Sequence, residues 1–302
     1  MNYKIPVNLS NYPKESLQKF FDDFDVIFTD CDGVLIKENS VIDSSNLLIN
    51  KFLENGKKVF MVSNNNQTTR DDLLKKCQNL NFNFTIDNIF TSSSITGMYL
   101  KSLNFNKKAY VIGSEELGEE LTKFGIEHIG IGRDDMSDTY GEYMMNNYKL
   151  YEDVGAVIVG LDKFFNIPKM LKAMNYLKNP EILFLATNVD VRSEFPNLIF
   201  PDAGPIVASI EKASYRKATV IGKPSSILFD LLKLKSDKER ILMIGDRLSV
   251  DIAFGKNSGI KTMLVETGDD KMENVGEILR KIEENEENLI PDYVVKSLGL
   301  FL

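Results

Sequence analysis

Apolar residues in this chain fall into short continuous runs and into stripes at helical spacing, and the two kinds alternate. Val26, Ile27 and Phe28 form one run, Val59 to Val62 a second and Ile241 to Ile244 a third. Apolar at every position, such runs predict strands buried on both faces. Between the first two, SSNLLINKFLENGKK carries Leu47, Leu48, Phe52 and Leu53 at helical spacing, with serines placed as an N-cap and Gly56 as a stop. Strand, helix and parallel strand make a βαβ unit, so both strands leave the sheet at the same edge. Before it, KESLQKFFDDF predicts a short helix; after it come a helix (TTRDDLLKKCQNL), a short strand (IDNIFTS) and a helix (SSITGMYLKSL).

The alternation then begins afresh. KKAYVIG, EELGEELTKFG, AVIVGLD, IPKMLKAMNYLK and EILFLATNVD read as strand, helix, strand, helix, strand. A parallel crossover needs only about a dozen residues, whereas residues 104–203 suffice for a core of their own. The expected fold class is α/β. A Rossmann-like parallel-sheet core takes residues 1–103 and 204–302, and a smaller α/β domain, 104–203, is inserted into it. The core resumes with a helix (GPIVASIEKASY), a strand ending at Gly222 and Lys223, and a helix (SILFDLLKLK). After Ile241 to Ile244, KTMLVETG predicts a further parallel strand and PDYVVKS the last edge strand. EENEEN reads as a solvated helix end.

Where the strands stop, the polar residues are of a particular kind. The first run ends in Asp30, Cys31, Asp32 and Gly33, the second in Ser63, Asn64 and Asn65, the 222 strand in Lys223, and the 241 run in Gly245 and Asp246 with Asp251 close behind. Asp and Gly are ordinary turn residues and SNNN alone is a polar loop. Four such ends on one carboxyl edge, where open parallel sheets bind ligands, make a candidate site. Neighbouring carboxylates repel, and a divalent cation relieves the repulsion. The hard oxygens of Asp30 and Asp246 suit Mg2+. Lys223 supplies a fixed positive charge, and Ser63 with nearby backbone N–H groups supplies donors for a phosphate. A carboxylate nucleophile forming an acyl phosphate is one established route for phosphoryl transfer.

Composition narrows the alternatives. The 302 residues carry a formal net charge of -8, which argues against nucleic acid or an anionic membrane as main partner. No apolar run approaches the ~20 residues of a membrane span, and MNYKIPVNLSNYPKES has no signal-peptide core, so a cytoplasmic protein is expected. Two cysteines, Cys31 and Cys77, are too few for a disulfide framework. The single histidine, His128, rules out multi-histidine zinc sites and reads as a surface residue in a strand end or loop.

In order and spacing, DCDGVL, SNN, GKPSS and GDRLSVD resemble the four motifs of the haloacid dehalogenase superfamily, and the insertion resembles its C2 cap. NNNQTTR, ATNVD and the FGKNSG run are similar to the subgroup of 4-nitrophenylphosphatase, phosphoglycolate phosphatase, pyridoxal phosphatase and NagD-like enzymes. The resemblance implies that Asp30 attacks phosphorus and that Asp32 protonates the leaving alcohol and later deprotonates water. It implies that Asp30, the backbone carbonyl of Asp32 and Asp246 hold Mg2+. Ser63, Asn64 and Lys223 would hold the phosphoryl oxygens, with Asp251 supporting Lys223 or a metal-bound water. An acid at position 32 suits phosphoester hydrolysis, where the ion-pumping relatives carry Lys. Ser249 departs from relatives that often have a further acidic residue there.

The implied activity is Mg2+-dependent hydrolysis of a small phosphorylated metabolite such as phosphoglycolate, with 4-nitrophenyl phosphate also accepted. Alternatives within the fold are a pyridoxal 5'-phosphate, sugar or nucleotide phosphatase and a phosphotransferase; outside catalysis, the alternative is a phosphate-ligand sensor or scaffold. Asn188, Asp190 and Arg192, where the chain returns from the cap, are the candidates for substrate choice; the same segment also reads as a plain linker. A homodimer through the cap is a further expectation of the resemblance. Cys31, between the two carboxylates, reads as a strand-end filler or as a thiol whose oxidation shuts the site.

Overall fold

The computed structural model describes residues 5–136, 139–195, 198–271 and 289–302. The chain divides into two compact units, Met1–Ser63 with Arg70–Phe90 and Lys223–Leu302, and Asn64–Thr69 with Thr91–Gly222. In chain order the strands are β1 (Val7–Asn8), β2 (Val26–Thr29), β3 (Ile36–Lys37), β4 (Ser40–Val41), β5 (Lys58–Ser63), β6 (Ile89–Thr91), β7 (Lys108–Ile112) and β8 (His128–Ile129). There follow β9 (Val154–Val159), β10 (Leu183–Ala186), β11 (Arg192–Phe195), β12 (Leu198–Pro201), β13 (Thr219–Val220), β14 (Ile241–Gly245), β15 (Lys261–Val265) and β16 (Tyr293–Val295).

The first unit is built on a seven-stranded sheet in the order β1-β16-β15-β14-β2-β5-β6, parallel at every pairing from β1 through to β5. The apolar runs occupy its centre, as their lack of alternation requires. All four residues of β2 are buried. Phe28 turns to one face among Phe60, Phe229 and Phe254, with ring centroids 5.3, 6.2 and 5.7 Å away. Ile27 turns to the other, in a core that includes Phe21, Phe52 and Phe301. Register then places the site. Thr29 lies opposite Ile244 on β14 and Met61 on β5, so Asp246 and Ser63 lie one residue beyond the level of Asp30, at the same edge of three adjacent strands.

The second unit has its own five-stranded parallel sheet, β13-β10-β9-β7-β8, and an antiparallel hairpin, β11–β12. Its core joins Ile112, Val157 and Phe184 to Ile206, Val207 and Ile210 of the helix Ala203–Ser214. That helix, expected in the core, covers the second sheet instead. So does the strand before Lys223, because β13 pairs with β10. The helix Ser92–Ser102 also groups with this unit, and a side chain at Gly97 would collide with the Phe124 ring. The second unit therefore reaches beyond 104–203 at both ends. Periodicity marks a helix or strand without saying which sheet it covers.

Smaller differences have local causes. The predicted edge strand, β16, lies inside the sheet, because β1, too short to show a pattern, covers it. Ser44 precedes the helix Ser45–Glu54 without a side-chain cap bond, and Ser45 Oγ donates to the carbonyl of Leu35 at 2.8 Å. Leu47 is exposed while Leu48, Ile49 and Phe52 are buried. EENEEN lies outside the described residues. No helix among the described residues is long and apolar enough to cross a membrane.

Phe28→Ala opens a cavity in the ring cluster under Asp30. It should lower stability by about 3–5 kcal/mol, the usual cost of such a truncation, measured as a shift of the urea unfolding midpoint.

Candidate active site

The site begins where β2 runs out. The Asp30 N–H still donates to the Ile244 carbonyl at 2.9 Å, holding the residue to the end of β14. The chain then reverses through Gly33 at φ +82°, and a Cβ there would sit 2.5 Å from Asp246 Oδ2. Only glycine permits both the dihedral and the approach. β3 and β4 follow as a small antiparallel hairpin.

Four buried charges meet at this edge. Lys223 Nζ donates to Asp30 Oδ1 and to Asp251 Oδ1, each at 2.6 Å. Asp251 Oδ2 accepts from the backbone N–H groups of Asp246 and Arg247, at 3.2 and 3.1 Å. Asp246 Oδ2 accepts from the Asp269 N–H at 2.9 Å, while its Oδ1 is buried with no hydrogen-bond partner. One carboxylate oxygen from each of Asp30, Asp246 and Asp251 lies within 4.8 Å of the others.

With all three carboxyls ionised, one ammonium would leave two negative charges uncompensated, before the more distant Arg247 is counted. Burial, outweighing the attraction of Lys223, pushes the Asp30 carboxyl up to about 6. Burial and then the charges of Asp30 and Asp251 push Asp246 up to about 9. Lys223 is held well above the usual range by the two carboxylates, which outweigh its own desolvation. A divalent cation fits this deficit in charge, in hard oxygen donors and in the orphaned Asp246 Oδ1. Asp30 and Asp246 are the residues that would hold it.

The remaining predicted residues fall into two places. Ser63 ends β5, buried, and Asp32 stands exposed beyond Asp30. Asn64 groups with the second unit, where its Nδ2 donates to Asp190 Oδ2 at 3.2 Å. Asn188, buried, donates to the same oxygen at 3.1 Å and accepts from Asn66 Nδ2 at 2.9 Å. Arg192 opens β11, exposed. Asn64, Asn188 and Asp190 thus share one network.

Sequence reading passed over two groups. Asn66, which also bonds Thr187 and Asn188, was visible only as part of a polar run. Thr267 to Asp270 follow β15 on the same sheet edge, and that position was their only signal. His128 is half-buried on β8 with Nε2 3.2 Å from Thr122 Oγ1, outside the charge cluster. Cys31 is buried, and desolvation with the charge of Asp32 pushes its thiol well up, which disfavours the reactive thiolate.

Comparison with known proteins matches residues 27–127 to a family described as haloacid dehalogenase-like hydrolase, and residues 220–300 to one described as HAD-hydrolase-like. Phosphoglycolate phosphatase 2 of Arabidopsis thaliana is 36% identical over 292 residues, 94% of each chain. Glycerol-3-phosphate phosphatase of Homo sapiens is 31% identical, over 94% of this chain and 92% of its own. Among solved structures, a p-nitrophenyl phosphatase from Archaeoglobus fulgidus superposes with a TM-score of 0.77 at 28% identity, over 92% of this chain and 97% of its own.

The raised carboxyls set a pH test. Unfolded Asp titrates near about 3.9, whereas burial and the neighbouring carboxylates push Asp30 up to about 6 and Asp246 up to about 9 in the fold. Between these limits the folded site keeps protons that the unfolded chain has released, so metal-free stability falls as pH rises. A divalent cation held here would replace those protons and so bind better as they leave. The rise in Tm on replacing EDTA by Mg2+ should therefore be larger at pH 8 than at pH 5. An equal rise at both would contradict the cluster's protonation.

Proposed function

Because this chain belongs to the haloacid dehalogenase-like hydrolases and is a phosphatase, we propose that it hydrolyses a small phosphomonoester with Mg2+ through an aspartyl-phosphate intermediate. The observation that carries this reading is the buried cluster of Asp30, Lys223, Asp251 and Asp246, with an unpartnered oxygen on Asp246. Bound Mg2+ would supply charge neutralisation for the cluster and for the phosphate oxygens.

The chain's own residues divide the chemistry. Asp30, fixed by the Ile244 carbonyl and Lys223, attacks phosphorus as the ester P–O bond breaks. Asp32 gives its proton to the leaving oxygen. It then takes one from the water whose attack releases phosphate and restores Asp30. Its exposure supports this role, since a proton shuttle must reach both leaving group and water. Lys223 neutralises phosphoryl oxygens, and Ser63 with the Asn64 that follows it donates to them. Asp251 holds Lys223 in place.

Substrate choice is assigned to Asn188, Asp190 and Arg192. Phosphoglycolate and glycerol 3-phosphate are the first substrates to try, because the relatives reported above are named for them. The sensor reading predicts a missing nucleophile, acid, lysine or metal carboxylate, and all are present. A homodimer through the second unit is supported by the exposed Leu198 and Phe200, which share one face of β12 and which a second copy would cover.

Phosphate release from a panel of phosphorylated metabolites should depend on Mg2+ and vanish in EDTA. Asp30→Asn should abolish turnover, and Asp32→Asn should lower kcat by about 10²–10⁴-fold, the usual range for acid–base catalysis. Full activity in Asp30→Asn would sink the mechanism. Phosphate appearing on an added alcohol instead of in solution would make the enzyme a phosphotransferase. In sedimentation, Phe200→Asp should shift a dimer to monomer.

A further inference from the structure

A short strap follows β15 and ties together the turns that carry Asp246 and Asp32. Thr267 Oγ1 donates to the carbonyl of Gly33 at 2.6 Å, fixing the strap to the turn one residue beyond Asp32. Gly268 lies so close to the Asp246 carboxylate that any side chain there would collide with it. The Asp269 N–H donates to Asp246 Oδ2 at 2.9 Å. Asp270 then grips the Asp246 turn from both sides. Its N–H donates to the Asp246 carbonyl at 3.1 Å, and its Oδ2 accepts from the Leu248 N–H at 2.7 Å.

The consequence lies in how Asp246 spends its two oxygens. Oδ2 accepts from the strap, and Oδ1 is left buried with no hydrogen-bond partner. A carboxylate held by one oxygen presents the other in a fixed direction, and such orienting contacts are worth about 10–100-fold in metal affinity. The Asp270 carboxylate ties the strap to the 246–248 turn one residue after the Asp269 N–H that holds Asp246 Oδ2.

We infer that Asp270 is a positioning residue that presets Asp246 for Mg2+, acting through the strap and not as a ligand. The inference rests on the proposed Mg2+ site. Removing its carboxylate should loosen Mg2+ binding while leaving the chemistry at saturating Mg2+ almost intact. Asparagine, whose side-chain oxygen can still accept from Leu248, should rescue the affinity; a direct ionic role would not be rescued.

The experiment is calorimetric titration of the full chain with Mg2+ in the absence of substrate, beside the Mg2+ dependence of kcat. Asp270→Ala should weaken Mg2+ binding about 10-fold or more, with kcat at saturating Mg2+ within about 3-fold of the parent, and Asp270→Asn should bind Mg2+ as the parent does. Parent-like Mg2+ affinity in Asp270→Ala overturns the inference, whether or not Tm falls. Equal loss in the Asn and Ala variants overturns it in favour of a charge role. Asp246→Asn separates this failure from that of the site itself: if it binds Mg2+ as the parent does, the proposed metal site is wrong, and Asp270 with it.

Discussion

Burying three carboxylates against a single ammonium is the constraint on which the rest of the first unit turns. Left alone, such a cluster penalises folding, because each ionised group loses its water and one ammonium cannot balance three carboxylates. The fold meets the cost with specific bonds. Lys223 bridges Asp30 and Asp251, backbone N–H groups cover Asp251 Oδ2, and Asp269 covers one oxygen of Asp246. What stays uncompensated is an oxygen on Asp246 and an excess of hard, negatively charged oxygens that suits a divalent cation. The same excess that weakens the metal-free protein is what would give the site its affinity for a cation and, through it, for a phosphate.

The surrounding architecture serves to hold that concentration of charge rigidly. Parallel strands buried on both faces, with an aromatic cluster beneath Asp30, deliver the carboxylates from adjacent strand ends. Glycines at 33 and 268 let two turns close on Asp246 where a side chain would block them. Across relatives named for phosphoglycolate and for glycerol 3-phosphate the family is shared. A fold that hosts several substrates through changes in its sites is the general physical basis for such a spread of names.

Much of this was legible in the residues themselves. Three uninterrupted apolar runs determined the central strands, and the polar groups directly after them determined Asp30, Asp32, Ser63 and Asp246 as candidates, because strand ends share an edge whenever strands are parallel. Lys223 and Asp251 were legible as charge types in recurrent motifs. Tertiary structure alone decided what pattern cannot encode. Periodicity is blind to which sheet a segment covers, so the helix Ala203–Ser214 and the strand β13 went to the second unit. Spacing along the chain is equally blind to contacts between distant turns. The bonds from Thr267, Asp269 and Asp270 across to Gly33, Asp246 and Leu248 therefore came only from the fold.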